Sequence, residues 1–185
     1  MDPIETLMSE HRAIERVLDA LVAFADDAER RGATDKEELS RFVTFLREFA
    51  DAGHHGKEED ILFQAMVDGG FPAEDGPIEV MLRDHDEGRG LVGILDERAR
   101  QDAAWSEADR RQIGDAARGF ADLMRSHIEK EDGILYPMAR HHLGADAFDG
   151  VGEACARFEA LRERNGIAHR MQALGEELTG RYVRA

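Results

Sequence analysis

The residues best suited to chemistry in this chain are histidines and glutamates that occur twice in the same order. The segment around His54 recurs around His127 at an offset of 73 residues, which also aligns Glu58 with Glu131. In an α-helix, residues four apart lie on one face, one turn from each other. Each His–Glu pair therefore points an imidazole nitrogen and a carboxylate in the same direction. Two such pairs on two helices can enclose one metal ion or two.

A single His–Glu pair at this spacing is more often found on a solvent-exposed helix face than in a metal site. In this chain, however, the pair is duplicated, and each copy leads into an apolar run: Ile61-Leu62-Phe63 in the first copy and Ile134-Leu135-Tyr136 in the second. Each His–Glu face thus lies next to a face that belongs in a hydrophobic core. This placement favours buried ligands.

A second, weaker repeat connects the first and third predicted helices. Residues 7–11 align with residues 81–85 at an offset of 74, so that His11 matches His85. Each half of the chain then consists of one helical hairpin, with a His on its first helix and a His-x-x-x-Glu pair on its second. Two such hairpins form a bundle with approximate two-fold symmetry, which brings the histidines and glutamates together at one depth.

Composition favours one all-α domain. The chain has 185 residues, of which 42% are hydrophobic and 35% charged, and it is long enough for a sizeable core. Apolar residues recur at helical spacing, and strand signals are almost absent. Acidic residues outnumber basic ones by 40 to 24, for a net charge of −16. This balance argues against nucleic acid and against an anionic membrane surface as partners.

No signal peptide and no apolar stretch long enough to span a membrane is visible in the sequence. The single cysteine, Cys155, excludes an internal disulfide framework and a cysteine-rich zinc site. We therefore expect a cytoplasmic protein.

The predicted fold is an antiparallel up-down-up-down four-helix bundle over residues 1–142. Its helices are expected to begin at Pro3 behind an Asp2 cap, to cover residues 35–67 and 78–100, and to resume after a Ser106 cap. Residues 143–185 are expected to form a C-terminal helical extension, packed on the bundle or at a dimer contact. Its helices are predicted over 154–164 and 167–178, with a break at Asn165-Gly166.

Six side chains form the predicted metal-ligand set: His11, His54, Glu58, His85, His127 and Glu131. They are too many for one tetrahedral zinc ion but suit two ions bridged by carboxylates. Mixed imidazole and carboxylate ligands favour iron or manganese over magnesium or calcium. Without a metal, the same groups would leave several imidazoles and carboxylates unpaired in a core, which is costly.

This pattern resembles the hemerythrin-like, or HHE cation-binding, domain over about residues 4–140. The resemblance implies a non-haem di-iron centre that holds two iron ions (Fe2+/Fe3+); whether an oxo or hydroxo bridge joins them stays open. The stretch FEALRERNGIAHRMQALGEEL in the extension resembles a tail found in one bacterial branch of the family.

The chain departs from the oxygen-carrying members of that family at two points. Those proteins have a second His one turn after the helix-3 His, where this chain has Arg89. His169 in the extension, a water molecule or no ligand at all can take that place, and His169 is kept as a candidate metal ligand. Arg89 is read as either a stabiliser of a bound anionic ligand or a surface ion-pair partner.

The second departure concerns the acid on the fourth helix. Oxygen carriers use an acid five residues after the helix-4 His, which is Asp132 here, but Glu131 is preferred because it matches Glu58 in the repeat. Tyr136 is read as core packing with its hydroxyl at the rim, or as a hydrogen-bond donor to the site. His55 should point about 100° away from His54, and is therefore predicted either to lie behind the ligands, in contact with them, or to be exposed.

The predicted function is to bind or sense a small oxidant or gas, namely O2, NO or peroxide, at a di-iron site, in a monomer or a homodimer. Whether the protein turns over a substrate stays open. The alternatives are a di-iron oxidase with peroxidase-, catalase- or ferroxidase-type activity, an iron-handling protein, and a metal-stabilised bundle that serves as an interaction module.

Overall fold

The computed structural model describes residues 2–182, which form six helices and no strand. Helix α1 is Pro3–Arg31, α2 covers residues 36–68, α3 is Pro77–Arg100 and α4 covers residues 107–142. Two further helices, α5 (Ala145–Arg164) and α6 (Ile167–Tyr182), form the C-terminal extension. The prediction of an all-α bundle followed by a helical extension is confirmed.

The helix starts follow from capping residues that are visible in the sequence. The side chain of Asp2 accepts hydrogen bonds from the amides of Ile4 and Glu5 at the start of α1, where Pro3 occupies the first helical position. Ser106 begins α4 with a reciprocal capping box to Asp109. Both caps satisfy backbone donors that a helix start otherwise leaves unpaired.

Helices α2 and α4 change their winding where they carry the repeated motif. In α2, the segments Leu46–His55 and Glu58–Phe63 are π-helical, between α-helical ends at Lys36–Phe45 and Gln64–Asp68. In α4, a π-helical turn at Glu131–Leu135 separates Glu107–Lys130 from Tyr136–His142. A π-helix has i→i+5 hydrogen bonds and recurs at functional sites.

The bundle interior contains two apolar clusters. One contains Ile14, Leu21 and Phe42 of α1 and α2 and extends to the tip of the extension, and the other contains Ile4 and Leu62 near the opposite end of the bundle. Between them the described chain buries an uninterrupted group of polar side chains: His11, His54, His55, Glu58, His85, His127 and Glu131. This polar layer is the candidate functional site.

The extension is longer and more regular than the sequence predicted. Helix α5 begins at Ala145, nine residues before the expected start, and includes Gly150 and Gly152, neither of which has a positive φ. Helix α6 continues to Tyr182, beyond the expected end at residue 178. The predicted break at Asn165-Gly166 is confirmed, since Gly166 has a φ of +63° that a left-handed cap requires.

The extension lies against the bundle. A Cβ atom on Gly175 of α6 would come within 2.8 Å of Phe45 Cε2, so this glycine permits the close approach of α6 to α2. Leu178 of α6 is completely buried in the larger cluster. Among the described residues, no helix is long and apolar enough to cross a membrane.

Candidate metal centre

The polar layer brings together all six ligands predicted from the repeats, and it adds a seventh side chain. Two groups of four can each hold a metal ion, because within each group the donor atoms lie within 4.8 Å of one another. The groups are His11, His54, Glu58 and Glu131, and His55, Glu58, His85 and His127. Glu58 belongs to both groups, so the two candidate metal positions have one carboxylate in common. That these seven side chains bind metal stays a prediction.

Each glutamate lies between histidines of two different helices. Glu131 Oε2 is 3.2 Å from the Nε2 atoms of both His11 on α1 and His127 on α4. Glu58 Oε2 is 3.6 Å from the Nε2 atoms of His54 on α2 and His85 on α3. All four histidines thus turn the same nitrogen inwards, as the approximate symmetry of the two halves requires.

The other nitrogen of each histidine contacts a carboxylate behind it. The distances from Nδ1 are 2.8 Å for His54 to Glu10, 2.7 Å for His11 to Asp132, 2.7 Å for His85 to Glu59 and 3.4 Å for His127 to Asp84. A carboxylate in this position accepts the Nδ1 proton, fixes the ring orientation and makes Nε2 a stronger donor to a metal.

Sequence reasoning missed these four outer carboxylates, although a signal was present. Two of them directly precede the candidate ligands His11 and His85, and the other two directly follow Glu58 and Glu131. Each outer carboxylate therefore has an acidic counterpart in the other half of the chain, at the same offset as the neighbouring ligand. Asp132, which was weighed as a ligand against Glu131, contacts His11 Nδ1 instead.

His55 lies nearer to the site than the sequence predicted, because one of its ring nitrogens belongs to a candidate ligand group; its role as a ligand stays a prediction. Its ring is buried and stacks on that of His85 with a centroid distance of 3.8 Å. The prediction assumed the 100° step of an α-helix, but His54 and His55 lie in a π-helical segment. A π-helix holds about one more residue per turn, so the angle between neighbouring side chains is smaller and both rings reach the site. The counterpart of His55 in the second half is Ile128.

Tyr136 is a second position, after His55, at which the two halves of the chain have different residues, because its counterpart is Phe63. The Tyr136 hydroxyl donates a hydrogen bond to Glu58 Oε1 at 2.6 Å and lies 3.4 Å from His11 Nε2. Of the two interpretations kept from the sequence, the donor role fits this geometry, because the side chain is fully buried and its hydroxyl is not at the rim. Burial raises the pKa of Tyr136 well above its usual value, and the nearby charges of Glu58 and Glu131 add to the rise.

Two other candidates lie outside both groups. Arg89 is 39% exposed and forms ion pairs with Asp51, Glu59 and Asp86, so it is a surface ion-pair partner that also contacts the carboxylate behind His85. His169 is exposed on α6 and lines an open groove between the extension and the bundle. The structure therefore does not bring His169 to the other predicted ligands.

Several buried polar atoms of the polar layer have no hydrogen-bond partner among the described residues, namely His54 Nε2, His55 Nδ1, Glu58 Oε2 and both carboxylate oxygens of Glu131. Burial lowers the pKa of His54 well below its usual value and that of His55 to about 3. Both imidazoles are therefore neutral, which is the form that binds metals. Unpaired buried acceptors are costly, and two cations at the centre would satisfy them.

The surroundings of the two glutamates shift their pKa values in opposite directions. Burial raises the pKa of Glu58 well above its usual value, and the charge of Glu131 adds to the rise. Burial acts in the same direction on Glu131, but the His11 and His127 imidazoles, whose Nε2 atoms lie 3.2 Å from Glu131 Oε2, outweigh it and lower that pKa. Two carboxylates buried this close together do not both ionise without a compensating positive charge. The donor set therefore fits a pair of metal cations.

A cavity of about 170 Å³ reaches the second group of ligands from the side of the bundle. His55 and His85 line it together with apolar side chains that include Val92 and Phe120. Arg89 and Asp51 also line this cavity, and their ion pair lies at its exposed side.

Comparison with known proteins assigns this arrangement to a family. Residues 2–139 match the model of the hemerythrin HHE cation-binding domain. The chain belongs to the hemerythrin family. The match covers the four bundle helices apart from the last residues of α4, and iron is the metal that this family implies for the hemerythrin-like chain.

Curated relatives share part of this hemerythrin-like chain. Proteins named "Iron-sulfur cluster repair protein YtfE" from Salmonella typhimurium, Salmonella paratyphi B and Salmonella newport are each 30% identical to it over 103 residues. These alignments cover 55% of this chain and 46% of each relative. The aligned region thus spans about half the length of the curated relatives.

Proposed function

We propose that this hemerythrin-like chain is a non-haem di-iron protein that binds a small oxidant or gas: O2, NO or peroxide. The observation that carries the proposal is the pair of four-residue ligand groups that share Glu58 in a fully buried layer. Two adjacent sites, with nitrogen and carboxylate donors in each, fit two iron ions better than one structural zinc ion.

The protein side chains have distinct tasks in this proposal. The Nε2 atoms and the two glutamates hold the metals, while the outer carboxylates keep each imidazole in one orientation. The Tyr136 hydroxyl holds Glu58 in place through its hydrogen bond. The flanking apolar clusters keep bulk water out of the layer. A pair of iron ions, when bound, supplies reversible redox change and open positions for a small ligand.

The size and lining of the side cavity favour a small ligand. Pockets for organic ligands measure about 300–1,000 Å³, whereas the cavity that reaches His55 and His85 measures about 170 Å³. Its mainly apolar walls suit a diatomic molecule better than an extended organic substrate.

Anaerobic reconstitution tests the proposal. Metal-free protein is loaded with Fe2+, the bound iron is counted, and O2, NO or azide is added while the visible spectrum is recorded. We expect two iron ions per chain and absorption bands that depend on the added ligand. Glu58→Ala should lose both, since Glu58 serves both metal positions, whereas His141→Ala, which removes an exposed histidine, should behave as the unmodified protein.

A chain that takes up no more than one iron ion would contradict the di-iron site. A chain that takes up two but shows no spectral response to any of the three ligands would contradict the binding function. Repeated consumption of peroxide, abolished in Glu131→Ala, would instead support the oxidase alternative.

Iron handling is a second candidate, favoured by the name of the relatives. Because the aligned region spans about half of those proteins, repair of iron–sulfur clusters is not carried over as a whole. The part we propose as an alternative is reversible release of iron. Rapid transfer of iron from the loaded protein to a chelator under reducing conditions, with retention under oxidising conditions, would support it; equal retention in both states would refute it.

A further inference from the structure

The two halves of the metal centre differ in what lies behind their outer carboxylates. Lys57 contacts Glu10 and Lys130 contacts Asp84, and these two lysines are counterparts in the repeat. The side chain of Lys130 is 35% exposed and has this single carboxylate partner among the described residues. Lys57 is 1% exposed and has a second partner, Glu159 of α5, at 2.5 Å. Within the described chain, the extension thus supplies a second carboxylate to the lysine of one half of the centre and not to that of the other.

Contacts between α5 and the π-helical segment of α2 hold Glu159 in this position. Phe158, its neighbour, lies 3.4 Å from where a Cβ atom on Gly56 would be. One turn later, Arg162 donates hydrogen bonds to the backbone carbonyls of Glu48 and Ala52. Helix α5 therefore packs beside Lys57 and is fixed on the turn that carries His54.

From this arrangement we infer that Glu159 is a positioning residue for the metal centre, acting through Lys57 and Glu10 on His54. The contacts form an unbroken series from the surface to a candidate ligand: Glu159 to Lys57, Lys57 to Glu10 and Glu10 to His54 Nδ1. Glu159 shares the charge of the lysine, which leaves Glu10 free to accept strongly from the imidazole. The inference rests on the proposed metal site and assigns the extension a part in it.

Removal of the Glu159 charge should weaken metal binding. The whole positive charge of Lys57 would then act on Glu10, which would accept less strongly from His54 Nδ1, and Nε2 would be a weaker metal donor. Loss of an outer partner typically weakens metal binding 10- to 100-fold. Because Glu159 acts through two intermediate groups, we expect a smaller loss of about three- to tenfold.

Cobalt(II) binding to the metal-free protein tests this with two readouts, affinity and the visible spectrum of the bound ion. Glu159→Gln should weaken binding by the stated factor and alter the spectrum, and Glu159→Asp should restore part of both. Glu153→Gln is the matched control: it removes an equal charge from the same helix, where the exposed Glu153 pairs with Arg157. This control should match the unmodified protein in both readouts.

A double-mutant cycle separates action through Lys57 from a general charge effect. In a Lys57→Gln background, Glu159→Gln should have no further effect on affinity, because the series of contacts is already broken. Equal affinity and spectrum for Glu159→Gln and Glu153→Gln would overturn the inference while leaving the metal site intact, and so would additive effects in the cycle. An unmodified protein that binds no cobalt would overturn both this inference and the proposed function.

Discussion

The four paired histidines of the polar layer share one arrangement, with Nε2 towards a glutamate and Nδ1 towards an outer carboxylate. His55 departs from it: its nearest carboxylate is Asp51, at 3.4 Å from Nδ1. Its ring is held instead by stacking on His85. His55 thus adds a fifth buried imidazole to the polar layer, from α2.

Replacement of His55 by the residue of the other half tests its role. His55→Ile copies Ile128 and should keep the buried volume approximately filled. If His55 is a ligand, binding of the second cobalt(II) ion should weaken by at least about tenfold, measured by titration calorimetry. His141→Ala serves as the control for loss of a histidine. Two ions bound with unchanged affinity would show that His55 only packs against the site.

The role of the Tyr136 hydroxyl can also be tested by replacing the residue with its counterpart in the other half, which is Phe63. Tyr136→Phe removes the only hydrogen bond that Glu58 Oε1 receives within the described chain, and a buried acceptor without a partner costs about 1–3 kcal/mol. We expect the metal-free protein to lose that much free energy of unfolding, measured in urea with an unchanged denaturant dependence. An unchanged unfolding midpoint would contradict this.

At the scale of the helix, the π-helical segments place the ligands. They occur in α2 and α4 at the repeated motif, and the π-helical segment in α2 turns two consecutive histidines to the interior. The close packing of the extension depends on a small residue, because a Cβ atom on Gly175 would lie 2.8 Å from Phe45. Local sequence thus shapes both the ligand-bearing surface and the surface that receives the extension.

Because α6 packs closely on α2, alanine substitutions at two glycines of α6 should affect stability differently. In Gly175→Ala, the new methyl group would meet Phe45 at 2.8 Å, and such overpacking costs about 1–3 kcal/mol. Gly180→Ala is the control, because no atom of residues 2–182 lies within 4 Å of its Cβ position, and alanine in a helix should be neutral or stabilising by up to about 1 kcal/mol. Thermal unfolding of both variants measures the difference. Equal midpoints would mean that α6 does not pack closely on α2.

At the scale of the whole molecule, two apolar clusters enclose a layer that is poorly satisfied without metal. The fold therefore concentrates its buried, unpaired acceptors at one depth, where all four bundle helices meet. A ligand that binds only the folded chain stabilises it by mass action. Metal binding and folding should consequently be coupled in this protein.

Metal titration of stability tests that coupling. With free cobalt(II) at about 100 times its dissociation constant, the free energy of unfolding should rise by about 2.7 kcal/mol for one site and further for two. The measurement is urea unfolding with and without metal. Glu58→Ala should lose most of the rise, and His141→Ala should keep it. A rise of the same size in Glu58→Ala would place the bound metal elsewhere.

Much of this molecule follows from regular spacing along the chain. Caps at Asp2 and Ser106, apolar periodicity and the duplicated His-x-x-x-Glu motif were sufficient to predict four helices and six inward side chains. These features are local, or repeat at a fixed offset, and the α-helical period converts them into a direction in space.

Other features depended on tertiary structure. His55 enters the polar layer because α2 leaves the α-helical period there, and a prediction based on that period places it outside. The contacts of Glu10 with His54 and of Glu159 with Lys57 join residues far apart in the chain, and no local pattern specifies which carboxylate meets which partner. The sequence by itself determined the ligand types and their spacing. Helix packing decided which groups lie behind them, because those contacts exist only after distant helices meet.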